Sequence, residues 1–302
     1  MSSASPVAPV EQPPLSQVER VVDTFIAPSK TFSDIRRSAS WWVPWILLAI
    51  ASVAMVLVVD KKLGMEKVVE NQMALSPKQA EKLDQLSPDQ RAAQIQTIVK
   101  VNRVIGYAYP VLLLIIIAIM AGVLLGTFNF GFGQRLTFNQ CMAISMYASL
   151  PGIIKALIAI LAISVGGGEA FTFQNPIASN LSALVDPSSH FLYSIATSLD
   201  VFTIWAIALT GLGYGCVTKL KRGTCMAVAF GWWAVGSAGR RGTCGGVRLR
   251  TRSVLSPGTA SPAAEEWCAL CFMVGAPAFM GGGALQRSGK IAVWITRFSA
   301  GI

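Results

Sequence analysis

Four long apolar runs, separated by polar stretches, organise this chain: residues 41–59, 107–128, 138–165 and 191–217. At 1.5 Å per helical residue, about 20 apolar residues cross the roughly 30 Å hydrocarbon core of a bilayer. Trp41, Trp42 and Trp45 mark one end of the first run, and Tyr107 and Tyr109 one end of the second, as an interfacial aromatic belt requires. A fifth run, 223–239, is short and flanked by Arg222 and Arg240; a sixth, 267–285, is interrupted by Pro277 and Gly281 to Gly283. One such run alone could be a buried core helix, but four in one chain predict an all-α polytopic membrane helical bundle. Four of these runs are clear transmembrane helices, and the fifth is short for one.

Polar segments fill the intervals. The connector 60–106 carries two helix starts, "SPKQ" at Ser76 and "SPDQ" at Ser87, each with a Ser cap, Pro at the first helical position and Gln three residues after the cap. After the second, Ile95, Ile98, Val99, Val101, Val104 and Ile105 recur at helical spacing. An amphipathic outer helical hairpin that leads into the second span and caps the bundle is the preferred reading, with a partner-binding domain as the alternative. Before the first span, Val18, Val21, Val22, Phe25 and Ile26 form an apolar stripe, and Thr31 starts a short turn through Phe32 and Ile35. That segment either lies in the membrane interface beside its basic residues or packs under the bundle. Residues 1–17, Pro/Ser-rich with no basic start and no apolar h-region, are expected to form a disordered arm rather than a secretory signal.

Composition agrees with the pattern. Of 302 residues, 53% are hydrophobic and 13% charged, against about 25% charged in an ordinary soluble domain. The net charge of +10 suggests nucleic acid until it is divided. Residues 1–234 hold 17 Lys+Arg against 13 Asp+Glu, and residues 235–302 hold 8 against 2. The lipid bilayer is therefore the expected partner, with no specific nucleic acid. Between Leu136 and Thr218 the only basic residue is Lys155, so the loop from Gly166 to His190, with Glu169 and Asp186, should face away from the cytoplasm. Arg135, Lys219, Lys221 and Arg222 should face inward, which places the N-terminus in the cytoplasm.

Lys155 is itself the main chemical anomaly, an ammonium inside the third run. An ionisable residue in a span is costly unless paired or solvated in a cavity. Lys155 lies about 12 Å below the outer end of its run and Asp200 about 13 Å below the same surface on the fourth. An intramembrane Lys155–Asp200 ion pair follows. It would fix helix register or serve a proton or ion relay; alternatively Lys155 snorkels and Asp200 pairs with hydroxyls such as Thr197 and Ser198. Pro151 should kink the third span. Gly122 with Gly126 and Gly211 with Gly215 have the spacing of close helix packing, and an oligomer is one use of it.

Other chemistry is poorly supplied. The one histidine, His190, cannot build a two-histidine zinc site, and no nucleophile motif stands near it. "GLGYG" at Gly211 does not follow a strand, and no P-loop is present. Six scattered cysteines give no disulfide framework, and Cys268 with Cys271 is a lone C-x-x-C. No cofactor, metal site or enzyme activity is expected.

"RVVDTFIAPSKTFSDIRRSASWWVPWILL", with Pro28, Phe32, Trp42 and Pro44, the "YASLPGI" around Pro151, and "LDVFTIWAIALTGLGYG" together resemble the Yip-domain family over residues 18–234. That family is named for eukaryotic members that interact with Ypt/Rab GTPases. The resemblance implies five spans, a cytoplasmic N-terminus and a non-enzymatic role in membrane organisation or partner scaffolding, with no catalytic residues to transfer. The long connector resembles bacterial members, implying the bacterial cytoplasmic (inner) membrane, so GTPase binding is not carried over. The alternative function is a small transporter or channel using Lys155, Asp200 and the Pro151 bend. After Ala234 the pattern departs: Arg outnumbers Lys 7 to 1 from residue 235 onward, against 7 to 10 before it. Residues 235–302 look like a basic, Gly/Arg-rich, poorly ordered tail, either translated in a shifted frame or a native segment binding anionic lipid or nucleic acid through Arg240, Arg241, Arg248, Arg250 and Arg252.

Overall fold

The computed structural model describes residues 14–74, 83–169, 171–173 and 200–244, together with 81 and 176. Its helices are α1 (Gln17–Ile26), α2 (Pro28–Asp34), α3 (Trp42–Lys62), α4 (Met65–Ala74), α5 (Pro88–Gly126), α6 (Phe138–Ala148), α7 (Pro151–Ser164), α8 (Val201–Val217) and α9 (Arg222–Cys244). The all-α polytopic fold expected from the pattern is what the structure shows. Among the described residues, three helical stretches are long and apolar enough to cross a membrane: Trp42–Lys62, Pro88–Gly131 and Phe138–Ser164; Val201–Val217 is shorter. Ile50 on α3, Val111, Ile115 and Ile119 on α5 and Leu161 on α7 point outward, as side chains facing lipid do.

Among the described residues, three helix starts are closed by capping boxes. Ser16 with Glu19, Ser87 with Gln90 and Thr137 with Gln140 each exchange side-chain and backbone hydrogen bonds, satisfying two donors that a helix start otherwise leaves open. The Ser87 start opens α5, which runs on as the second span and then widens into a π-helical turn, Thr127–Gly131. Asn129 folds the following turn: its Nδ2 donates to Leu136 O at 3.0 Å and its Oδ1 accepts from Leu136 N at 2.9 Å.

Other boundaries move. The third run breaks between α6 and α7 at Ser149 and Leu150. The fourth helix starts at Val201, because Asp200 is extended (φ −92°, ψ 132°) rather than lying inside a helix from 191. Helix α9 runs through Gly239 to Cys244, past Arg240 and Arg241. The Ser76 start, residues 191–199, His190, Thr197, Ser198, Cys268, Cys271, the sixth run and the chain after Cys244 lie outside the described residues.

The core has two parts. One joins the second half of α5, α6, Phe32 and Ile35 of the N-terminal segment, Leu209 and Tyr214 of α8, and Cys225 of α9. Every residue from Cys141 to Ala148 is buried, so α6 is enclosed by protein. The other joins Val56 and Val59 of α3, Met65, Val68 and Val69 of α4, Val99 of α5, Ile163 and Phe171, so α4 and the early part of α5 close the opposite end. Asn71 laces that end to the segment after α7, donating from Nδ2 to Glu169 O at 2.7 Å and Phe171 O at 2.9 Å.

Candidate functional site

Lys155 lies on the second turn of α7. Pro151 stands at the first helical position there, where its missing N–H costs nothing. It therefore begins a helix rather than kinking one. Tyr147 O, four residues before Pro151, accepts instead from Leu150 N at 3.2 Å, and the Ser149 hydroxyl bonds back to Ser145 O at 2.8 Å. The break leaves no carbonyl stranded at those positions.

Asp200 is the N-cap of α8, its Oδ1 accepting from Phe202 N at 3.4 Å. Its Oδ2 meets Lys155 Nζ at 2.7 Å and accepts from the Thr203 hydroxyl at 3.2 Å. The side chains are 6% exposed for Asp200 and 21% for Lys155. The carboxylate thus joins the Lys155 ammonium to the N-terminal end of α8. Chemically this clamps two helices far apart in sequence; Lys155 keeps one side toward the surroundings.

The two glycine pairs separate. A Cβ at Gly211 would collide with Met226, whose Cα lies 2.9 Å away, and one at Gly215 would lie 3.1 Å from Arg222 Cγ. That pair seats α9 against α8. Around Gly122 and Gly126 nothing lies within 4 Å, so that pair does no packing among the described residues.

Sequence reasoning missed a second buried pair. Arg20, 1% exposed, sends Nη2 and Nε to Asp34 Oδ2 at 2.6 and 2.8 Å and Nη1 to Ser38 O at 2.9 Å. The hydroxyls of Thr24 and Thr31 both donate to Arg20 O, at 2.7 and 2.9 Å. The sequence did hold a signal: Arg20 falls on the side of α1 opposite Val18, Val22 and Ile26. At the other end, Arg103 Nη2 meets Asp60 Oδ1 at 2.8 Å, tying α5 to α3. No group of three or more His, Cys, Asp or Glu suited to a metal occurs among the described residues.

The Yip1 domain matches residues 22–239, about three quarters of the chain. The chain belongs to the Yip1 domain family. Neither a curated protein nor a solved structure matches it. Membership and the apolar helices together make it an integral membrane protein. The Yip1 match begins inside α1, includes Lys155 and Asp200, and continues past Ala234 to a point within α9.

Proposed function

We propose that this Yip1-domain protein is a non-enzymatic organiser of membrane or scaffold for partners, embedded in a bacterial cytoplasmic membrane with its N-terminus in the cytoplasm. Support for the orientation comes from the turns. Lys219 N donates to Gln134 Oε1 at 3.1 Å, so the α8–α9 turn with Lys219 and Lys221 sits beside the α5–α6 turn with Arg135. These two short turns carry basic residues and no acidic ones, as cytoplasmic turns do, whereas at the opposite end Lys67 and Arg103 are paired with Glu70 and Asp60.

The observation that carries the scaffold reading is the employment of Asp200 as a helix cap. A relay carboxylate must exchange its proton or partner during a cycle. Here such an exchange would uncap α8 and strand Lys155, so the pair serves better as a register clamp. The alternative, a small transporter or channel working through Lys155 and Asp200, draws on the one-fifth exposure of Lys155. Proteoliposomes under an imposed proton or ion gradient decide. A scaffold gives no flux above empty vesicles, and Asp200→Asn changes stability only. Flux that Asp200→Asn abolishes in still-folded protein would overturn the scaffold reading.

A further inference from the structure

Helix α1 is amphipathic and turned the opposite way from a helix of a soluble protein. Its polar side, Gln17, Arg20 and Thr24, faces the bundle: Arg20 and Thr24 are fully buried, and Tyr147 OH donates to Gln17 Oε1 at 3.2 Å. Val21 and Phe25 pack at the edge of that contact, Phe25 meeting Trp205 edge-on at 5.8 Å. The remaining apolar stripe faces outward, with Val18 72%, Val22 47% and Ile26 77% exposed. These residues are four apart, so they line one side of the helix.

The position of α1 says what covers the stripe. Helix α6 is wrapped by protein, with Cys141 to Ala148 all buried, while α7 presents Leu157 and Leu161 outward. The α1–α2 hairpin packs on α6 and α8, and leads directly into the Trp41, Trp42 and Trp45 belt that opens α3. The stripe is thus continuous with the lipid-facing surface, and the exposed Lys30 and Arg36 on the same hairpin complement anionic headgroups.

We propose that α1 is an interfacial helix whose Val18–Val22–Ile26 stripe is immersed in the leaflet on the N-terminal side, and that the Arg20–Asp34 pair holds it in that rotation. Without the pair, a free amphipathic helix would be at liberty to roll or detach. The inference does not depend on whether the bundle scaffolds or transports.

A diazirine amino acid placed singly at Val18, Val22, Ile26, Glu19 or Asp23 of the full chain, in nanodiscs containing anionic lipid, tests it on photolysis. Expected are lipid adducts at least several-fold more abundant at 18, 22 and 26 than at 23. Products quenched by water at 18, 22 and 26 would overturn the proposal, and so would crosslinks to a second copy. Asp34→Ala should flatten the contrast between positions, and the swap Arg20→Asp with Asp34→Arg should restore it. An unchanged contrast in Asp34→Ala would remove the pair from the proposal. Circular dichroism and melting of each variant distinguish a rolled helix from an unfolded bundle.

Discussion

A Cβ at Gly213 would lie 3.0 Å from Phe32 Cδ1 and 2.6 Å from Ile144 Cγ2, so glycine at this position is what lets α2 rest against α8 and α6. Gly213→Ala should destabilise the protein by about 1–3 kcal/mol, as overpacking a filled core does. Gly122→Ala and Gly126→Ala should be neutral or add up to about 1 kcal/mol, since their surroundings are open and alanine is the better helix former. Thermal midpoints in one detergent compare all three. Equal losses at Gly122 and Gly213 would mean that the open pair packs against something in solution.

The clamp between α7 and α8 is testable by a mutant cycle. Asp200→Asn should cost about 3 kcal/mol, because it strands Lys155 and weakens a cap. Lys155→Met in that background should return part of the loss, giving a coupling above about 0.5 kcal/mol. Additive effects would show that the two charges do not stabilise one another.

Tyr214 OH and Ser145 Oγ are buried next to each other and to the Cys141 thiol, and neither hydroxyl makes a well-aligned hydrogen bond among the described residues. The Tyr214 ring stacks on Phe128 with centroids 4.4 Å apart. Tyr214→Phe keeps the ring and removes a hydroxyl with no well-aligned partner, so stability should stay within about 1 kcal/mol or rise. Tyr214→Ala should cost about 3–5 kcal/mol through the cavity it leaves. A large loss in Tyr214→Phe would reveal a partner for the hydroxyl, such as a bound water.

The start of α1 should depend on acid. Ser16 N–H and its hydroxyl hold the Glu19 carboxyl below its usual value of 4.5. A folded-state value below the unfolded one adds stability that is complete above the unfolded value and is lost as pH falls through the folded one. Amide exchange in α1, measured from pH 6 down to pH 3, should accelerate toward the acid end beyond the intrinsic pH dependence. Glu19→Gln should flatten that excess. An excess of equal size in the variant would assign the acid sensitivity to another carboxylate.

Much of the fold was legible because it rests on local properties. The capping signal at Ser87 was read from residues within three of it, and those at Ser16 and Thr137, equally local, were present but not singled out. The apolar runs announce spans by length alone. Lys155 and Asp200 were visible as charges out of place, but the depth estimate put Asp200 inside a helix, and only the backbone shows it as a cap. Arg20 and Asp34 escaped notice because each looks like an ordinary surface charge on a short helix. Their meeting depends on the α1–α2 turn, where Ala27 (φ −139°, ψ 61°) ends one helix and precedes Pro28 at the start of the next.

The chain's letters by themselves determined that it lives in lipid, that a helix starts after Ser87, and which family it belongs to, since hydrophobic transfer and capping act over neighbouring residues. Tertiary structure alone decided which glycine pair closes a helix contact, where the third run breaks and which half of the α1 stripe stays outside. Those outcomes depend on how helices distant in sequence cross, and helical periodicity sets which residues share a face without setting what that face meets.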